Sequence, residues 1–151
     1  LSTTLFQNVT SHGINAHLGG SLITIEGPRF STRAESNVFR GWGMSLIGMT
    51  TSPEAFLARE AEMCYAVMAH VTDYDVWHMV EAPVSVELVV ATLHKNTEVA
   101  QKTILSVVEG LPEESPCECH DTLKDAFITQ KTNISAVTKK KLGLLVDKYL
   151  K

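Results

Sequence analysis

The spacing of apolar positions changes several times along this chain, and each change marks a predicted element. Leu1, Leu5, Phe6 and Val9 recur at helical spacing and the pattern stops at Gly13, which predicts a first helix at the opening of the chain. SLITIEG (21–27) is a short β-branched run ended by Gly27 and Pro28, so it reads as a strand followed by a loop. A helix is predicted from about Thr32 to Arg40, closed by Gly41, and MSLIGMT (44–50) is a second short strand. Ser52 then offers a cap, Pro53 a first helical residue and Glu54 an acid in the first turn, which predicts a helix to about Met63.

CYAVMAHVT (64–72) is apolar on both faces, the pattern of a central strand between two layers. From Ser85 to about Val108, the residues Val86, Val89, Val90, Leu93, Ala100, Ile104 and Val108 fall on one stripe of a long helix. GLPEESPCECH (110–120) reads as a loop, and TKKKLGLLVDKYLK as a final helix packing through Leu142, Leu145, Val146 and Leu150. No repeat, low-complexity segment or domain linker interrupts the pattern. Strands and helices alternate through the first two-thirds, which predicts one α/β domain of three layers.

Composition narrows the possible partners. The 151 residues are 44% hydrophobic and 20% charged, enough to bury a core, and a net charge of -4 with scattered basic residues argues against nucleic acid. The longest apolar stretches fall well short of the roughly 20 residues of a membrane helix, so no membrane partner is expected. Three cysteines, an odd count, argue against a secreted disulfide framework, and LSTTLFQNV carries neither an initiator Met nor a signal-peptide pattern. The expected location is the cytoplasm. The opening inside or just before a helix reads either as a short first helix or as the start of a chain whose N-terminal part is absent.

In three-layer α/β folds, ligands bind where loops leave the carboxyl ends of strands. GPRFSTRAE, MTTSPE and TDYD each follow a predicted strand, so all three are expected to open on one edge. Together they offer an aromatic ring (Phe30), a thioether (Met49), hydroxyls (Ser31, Thr50, Thr51, Thr72) and carboxylates (Glu35, Asp73, Asp75). That mixture suits a sugar and a flat heterocycle better than a metal or a peptide.

TIEGPRFSTRAE, MTTSPEAFLAREAEMCYA and TDYDVW, in this order and at these separations, resemble the C-terminal half of 5'-methylthioadenosine phosphorylases, within the wider trimeric purine nucleoside phosphorylase family. The resemblance is close from Gly13 to Leu93 and looser towards the last helix. It implies a twisted, mixed β-sheet flanked by helices, a homotrimer, and phosphorolysis, in which phosphate displaces the purine from C1' of the sugar. By this resemblance Asp73 is the acid near the purine N7, and Asp75 lies beside it near the 6-amino edge with Thr72 alongside. Met49 lies against the ribose, Thr50 touches phosphate, Phe30 packs on the base, and Val84, Val86 and Val89 wall the pocket around the base and the 5'-group.

The chemistry accounts for these residue types. Breaking the N-glycosidic bond leaves negative charge on the purine, and a proton or strong hydrogen bond at N7 lets the base leave. An ionised carboxylate cannot donate, so the reaction calls for an acid kept protonated by burial and a nearby second carboxylate. A carboxylate also accepts from the 6-amino group of adenine, whereas the relatives that prefer 6-oxopurines resemble this chain with asparagine at position 73. The valines and Met49 favour an apolar 5'-group such as methylthio. No organic cofactor or metal is required, and phosphate is a cosubstrate.

The resemblance also implies a phosphate site completed by a Gly-rich hydroxyl loop and an Arg-His pair in an N-terminal half, and by a His from a neighbouring subunit, none of which has a counterpart in this sequence. That half is then a separate chain, or this polypeptide is incompetent alone. Two other functions stay open at this point: a purine nucleoside phosphorylase of different base or sugar preference, and a non-catalytic purine-binding or oligomerisation module. Asp73 and Asp75 also fit a simple turn after a strand, Phe30 and Met49 fit a core, and Arg29 and Arg33 beside Glu35 fit an ion-pair network holding the loop.

Cys117, Cys119 and His120 have part of a zinc-site pattern but lack a second pair of ligands at the usual spacing, so the sequence predicts no metal site. Cys-x-Cys tails in archaeal and bacterial relatives suggest instead a disulfide from Cys64 to one of the pair. His12, His17, His70, His78 and His94 show no ligand spacing and read as surface or structural residues.

Overall fold

A computed structural model describes residues 1–78, 85–113 and 116–150. The chain divides into two units, one of Leu1–Thr51 with Ala66–Glu113 and one of Ser52–Tyr65 with the described residues beyond Glu113.

The first unit opens with α1 (Ser2–Ser11), which ends where Gly13 takes the left-handed conformation (φ 73°) that a residue with a Cβ resists. Its predicted apolar face holds: Val9 is buried, and Leu5 and Phe6 are half-buried. β1 (Leu22–Thr24) and β2 (Leu46–Gly48) pair in parallel, with Leu22 opposite Leu46, Ile23 opposite Ile47 and Thr24 opposite Gly48. Parallel neighbours need a crossover, and α2 (Arg33–Gly41) lies between them in the chain. Ser45 N donates to Ser21 O at 2.8 Å and Ile25 N to Gly48 O at 2.9 Å, so hydrogen bonding extends past both ends of the ladder.

α2 starts as its sequence predicts. Thr32 accepts from Glu35 N at 3.3 Å while the Glu35 carboxylate accepts from Thr32 N at 2.8 Å, a reciprocal capping box that satisfies two otherwise unpaired donors. α4 (Val86–Gly110) is capped by Ser85, whose hydroxyl accepts from Leu88 N at 3.2 Å. It packs on α1.

Two expectations need correction here. α4 is as long as predicted, but the buried positions are Thr103 and Val107, whereas Val86, Val90, Leu93, Ile104 and Val108 are exposed. Of the same stripe, Val89 and Ala100 are half-buried. Residues 64–72, expected as a central strand, carry no ladder among the described residues, and Val67 and Val71 are exposed. An apolar run becomes a strand only where a neighbour accepts its backbone hydrogen bonds. Among its hydrogen bonds, Asn96 Nδ2 donates to Val71 O at 3.3 Å and the Tyr65 hydroxyl to Glu54 Oε2 at 2.9 Å.

The second unit holds most of α3 (Thr51–Glu60), in which Ser52 is extended (φ −98°, ψ 133°), so the regular helix begins at Pro53 as the start signals predict. α5 (Ala136–Leu150) buries Val146 and Leu150, while Leu142 and Leu145 stay partly exposed. Glu62, at positive φ just beyond α3, gathers this unit: its carboxylate accepts from Leu123 N at 3.0 Å, from Lys148 Nζ at 3.4 Å and from the Tyr149 hydroxyl. The expected disulfide is not formed, and Cys64, Cys117 and Cys119 are free thiols. No helix among the described residues is long and apolar enough to cross a membrane.

Candidate functional site

Because β1 and β2 run in parallel, the loops that leave them emerge on the same edge. The loop after β1 brings Phe30 and Ser31, the loop after β2 brings Met49, Thr50 and Thr51, and the segment 67–77 crosses beside them with Thr72, Asp73 and Asp75. Together these residues line an open cavity of about 750 Å³ within the first unit. The three loops singled out in the sequence therefore meet.

The carboxylates differ in setting. Asp75 is half-buried, and its Oδ1 accepts from Val76 N at 2.8 Å and from Ser31 Oγ at 3.3 Å. Ser31 Oγ is also 3.0 Å from Oγ of the buried Ser36, so the first turn of α2 anchors the hydroxyl that meets Asp75. Asp73 is exposed, with its Oδ2 accepting from Thr72 Oγ1 at 2.6 Å. The burial expected at Asp73 is therefore not provided by the described residues, among which TDYD is a loop segment without packed layers around it.

Behind Phe30 and Ser31 stands an ion pair. Arg29 Nη1 and Nη2 donate to Glu35 Oε2 and Oε1 at 2.9 and 2.8 Å, a bidentate geometry. The Arg29 guanidinium and the Thr32 donors hold the Glu35 carboxyl well below its ordinary 4.5, at about 2, and the Glu35 carboxylate in turn raises Arg29. Both ends of the Phe30–Ser31 segment are thus tied to α2. Phe30 itself is 82% exposed, a ring standing open at the cavity rather than filling a core.

Arg40 and Trp77 are among the cavity residues that the sequence reading missed. Arg40 lies over the Trp77 ring, 3.8 Å from its centroid, and both line the same cavity. A basic residue in the last turn of a helix and a Trp two places beyond Asp75 were the available signals, but nothing in their spacing brings them together. Val86 and Val89, expected to wall the pocket, sit in the first two turns of α4 and do not line this cavity; Val86 is 74% exposed. Val84 lies outside the described residues.

The family model of the Phosphorylase superfamily matches residues 1–109. The chain belongs to this superfamily. It is 52% identical over 134 residues to S-methyl-5'-thioadenosine phosphorylase of Gloeobacter violaceus, covering 88% of this chain and 45% of that protein. It is 45% identical over 150 residues to the protein of the same name from Geobacter sulfurreducens, covering 99% of this chain and 52% of that one. The chain spans about half the length of the curated relatives it matches.

Among solved structures, methylthioadenosine phosphorylase from an antarctic soil metagenomic library superposes with a TM-score of 0.85 at 39% identity, over 95% of this chain and 52% of that one. Methylthioadenosine phosphorylase from Schistosoma mansoni in complex with adenine superposes with a TM-score of 0.68 at 32% identity, over 82% and 49%. This phosphorylase-superfamily chain therefore has the superfamily's α/β fold, and its helices and small parallel sheet are part of it.

Proposed function

We propose that this chain provides the base- and sugar-binding part of a phosphorylase that converts 5'-methylthioadenosine and phosphate to adenine and 5-methylthioribose 1-phosphate. The observation that carries the reading is the meeting of Asp73 and Asp75 with Phe30, Met49 and Thr50 around one cavity, in a chain whose relatives bear the name of that activity. The adenine-bound structure of the Schistosoma mansoni relative supports a purine as the ligand.

In this reading a phosphate oxygen attacks C1' of the ribose and the bond from C1' to N9 breaks, its electron pair passing to the purine. Asp73 meets N7 as the proton donor while its carbonyl oxygen accepts from the 6-amino group, and Asp75 lies beside it near the same edge. The bound purine covers Asp73, which is exposed among the described residues. Phe30 lies on the base, Met49 against the ribose and 5'-substituent, Thr72 beside the base, and Thr50 against phosphate.

The reaction needs no organic cofactor, only phosphate as cosubstrate. The same reading places the two-stranded sheet within a larger twisted, mixed sheet flanked by helices in three layers. It assigns the protein to a cytoplasmic homotrimer acting in purine and methionine salvage, with no nucleic acid or membrane partner.

Phosphate-dependent release of free base from methylthioadenosine and from inosine, measured side by side, tests the reaction. Adenine release that far outpaces hypoxanthine release is expected, and equal or faster release from inosine would overturn the base assignment. Calorimetric binding of adenine tests recognition apart from turnover. Binding without turnover would favour a purine-binding module over an enzyme, and a lack of both would remove the site assignment altogether.

A further inference from the structure

Phosphorolysis leaves the cysteines without a role, yet the second unit draws all three together. Cys64 lies shortly after α3, and Cys117 and Cys119 stand at the start of the short 3-10 turn Glu118–Asp121, which also carries His120. Cys64 Sγ is 3.1 Å from Cys117 Sγ and 3.8 Å from His120 Nε2, and the three sulfurs lie within 4.8 Å of one another. Cys117, Cys119 and His120 alone lacked a second pair of ligands at the usual spacing, and with three donors in hand a tetrahedral site needs one more. Cys64, brought in by the fold from 53 residues upstream, supplies it.

We propose that Cys64, Cys117, Cys119 and His120 form a structural zinc site, a function that the sequence pattern alone did not predict. Three thiolates and an imidazole are a donor set that suits Zn²⁺ and disfavours the hard cations Mg²⁺ and Ca²⁺. With Zn–S bonds near 2.3 Å, a tetrahedral ion holds its sulfurs about 3.8 Å apart and a sulfur and an imidazole nitrogen about 3.6 Å apart. The Cys64–His120 distance already matches within a few tenths of an ångström, Cys64 and Cys117 need to part by about 0.7 Å, and the His120 ring has to swing towards Cys117 and Cys119, since the atoms mutually within 4.8 Å are the three sulfurs. Four protein ligands leave no open position for substrate, so the ion is structural rather than catalytic.

The local charges fit. The Cys64 thiol donates to Cys117 Sγ at 3.1 Å, so the sulfurs already face one another without a bond between them. A divalent ion displaces the thiol protons and leaves the filled site with a single negative charge. Lys148 brings a cation to the same turn, donating to the His120 carbonyl at 2.5 Å and to Asp121 Oδ1 at 2.7 Å. The ion would join the end of α3 to the 3-10 turn, and Lys148 joins that turn to α5.

Titration of the reduced chain with Co²⁺ reads the site directly, through thiolate-to-cobalt charge transfer and the visible bands of tetrahedral cobalt. Saturation at one ion per chain, displacement by Zn²⁺ and a higher melting temperature with metal are expected. Cys64→Ser should abolish the cobalt spectrum while circular dichroism stays helical, and His120→Ala should weaken binding but keep the charge-transfer band. Absence of a cobalt spectrum in the reduced wild-type chain, or its survival in Cys64→Ser, would overturn the site. So would metal-free isolated protein in which denaturation without reductant exposes a single thiol, because two of the three would then be joined as a disulfide.

Discussion

Gly27 and Met49 approach so closely that a Cβ on Gly27 would stand 2.9 Å from Met49 Sδ. The two residues follow neighbouring parallel strands and leave the same edge, which is also the edge that carries the cavity. Gly27 therefore makes room for the thioether proposed to meet the sugar. Gly27→Ala should leave the fold intact, because Met49 is flexible and its far end can move. Displacing it off its rotamer costs about 0.5–1.5 kcal/mol, so roughly two- to tenfold weaker substrate binding is expected, read as KM or as a calorimetric Kd, with little change in melting temperature.

Asp73 is the residue on which base choice turns. Asp73→Asn removes the acid and substitutes an amide that can donate to a 6-carbonyl. Release of adenine from methylthioadenosine should fall by about 10²- to 10⁴-fold, and the ratio of inosine to methylthioadenosine turnover should rise. An unchanged ratio would assign Asp73 to the turn alone.

Glu35 sets a pH dependence for the cavity loop. Its carboxyl is held at about 2 by the Arg29 guanidinium and the Thr32 donors, against an ordinary 4.5. A depressed folded-state value means that the contribution is complete above about 4.5 and is lost as pH falls from there through 2. Acid should therefore loosen the Phe30–Ser31 segment in that window. The check is melting temperature and adenine affinity against pH for wild type and Glu35→Gln: the variant should be flatter below pH 4.5 and less stable than wild type at neutral pH.

The helices were legible because their ends are written locally. Thr32 with Glu35 and Ser85 ahead of Val86 each mark a start by accepting from a backbone donor in the next turn, and Ser52 is extended ahead of Pro53, where the regular part of α3 begins. The loops of the candidate site were legible for a related reason, since each follows an apolar run and carries unlike polar groups in a few residues. Residues 64–72 and the outer stripe of α4 were misread because apolar character records what a segment can bury, and burial depends on a neighbour that its own sequence does not name. The Arg40–Trp77 contact and the gathering of Cys64 with Cys117 are likewise products of tertiary placement, separated by 37 and 53 residues.

Thr103 lies at 0% exposure in α4, and its hydroxyl has no hydrogen-bond partner among the described residues. A polar group buried without a partner costs about 1–3 kcal/mol, and Val presents nearly the same shape without that group. Thr103→Val should raise the melting temperature by a few degrees in a thermal scan and leave adenine affinity unchanged, because Thr103 does not line the cavity. The pairing of α1 with α4 thus holds a reserve of heat tolerance that can be drawn out by one substitution, at a position where stability and ligand recognition are uncoupled.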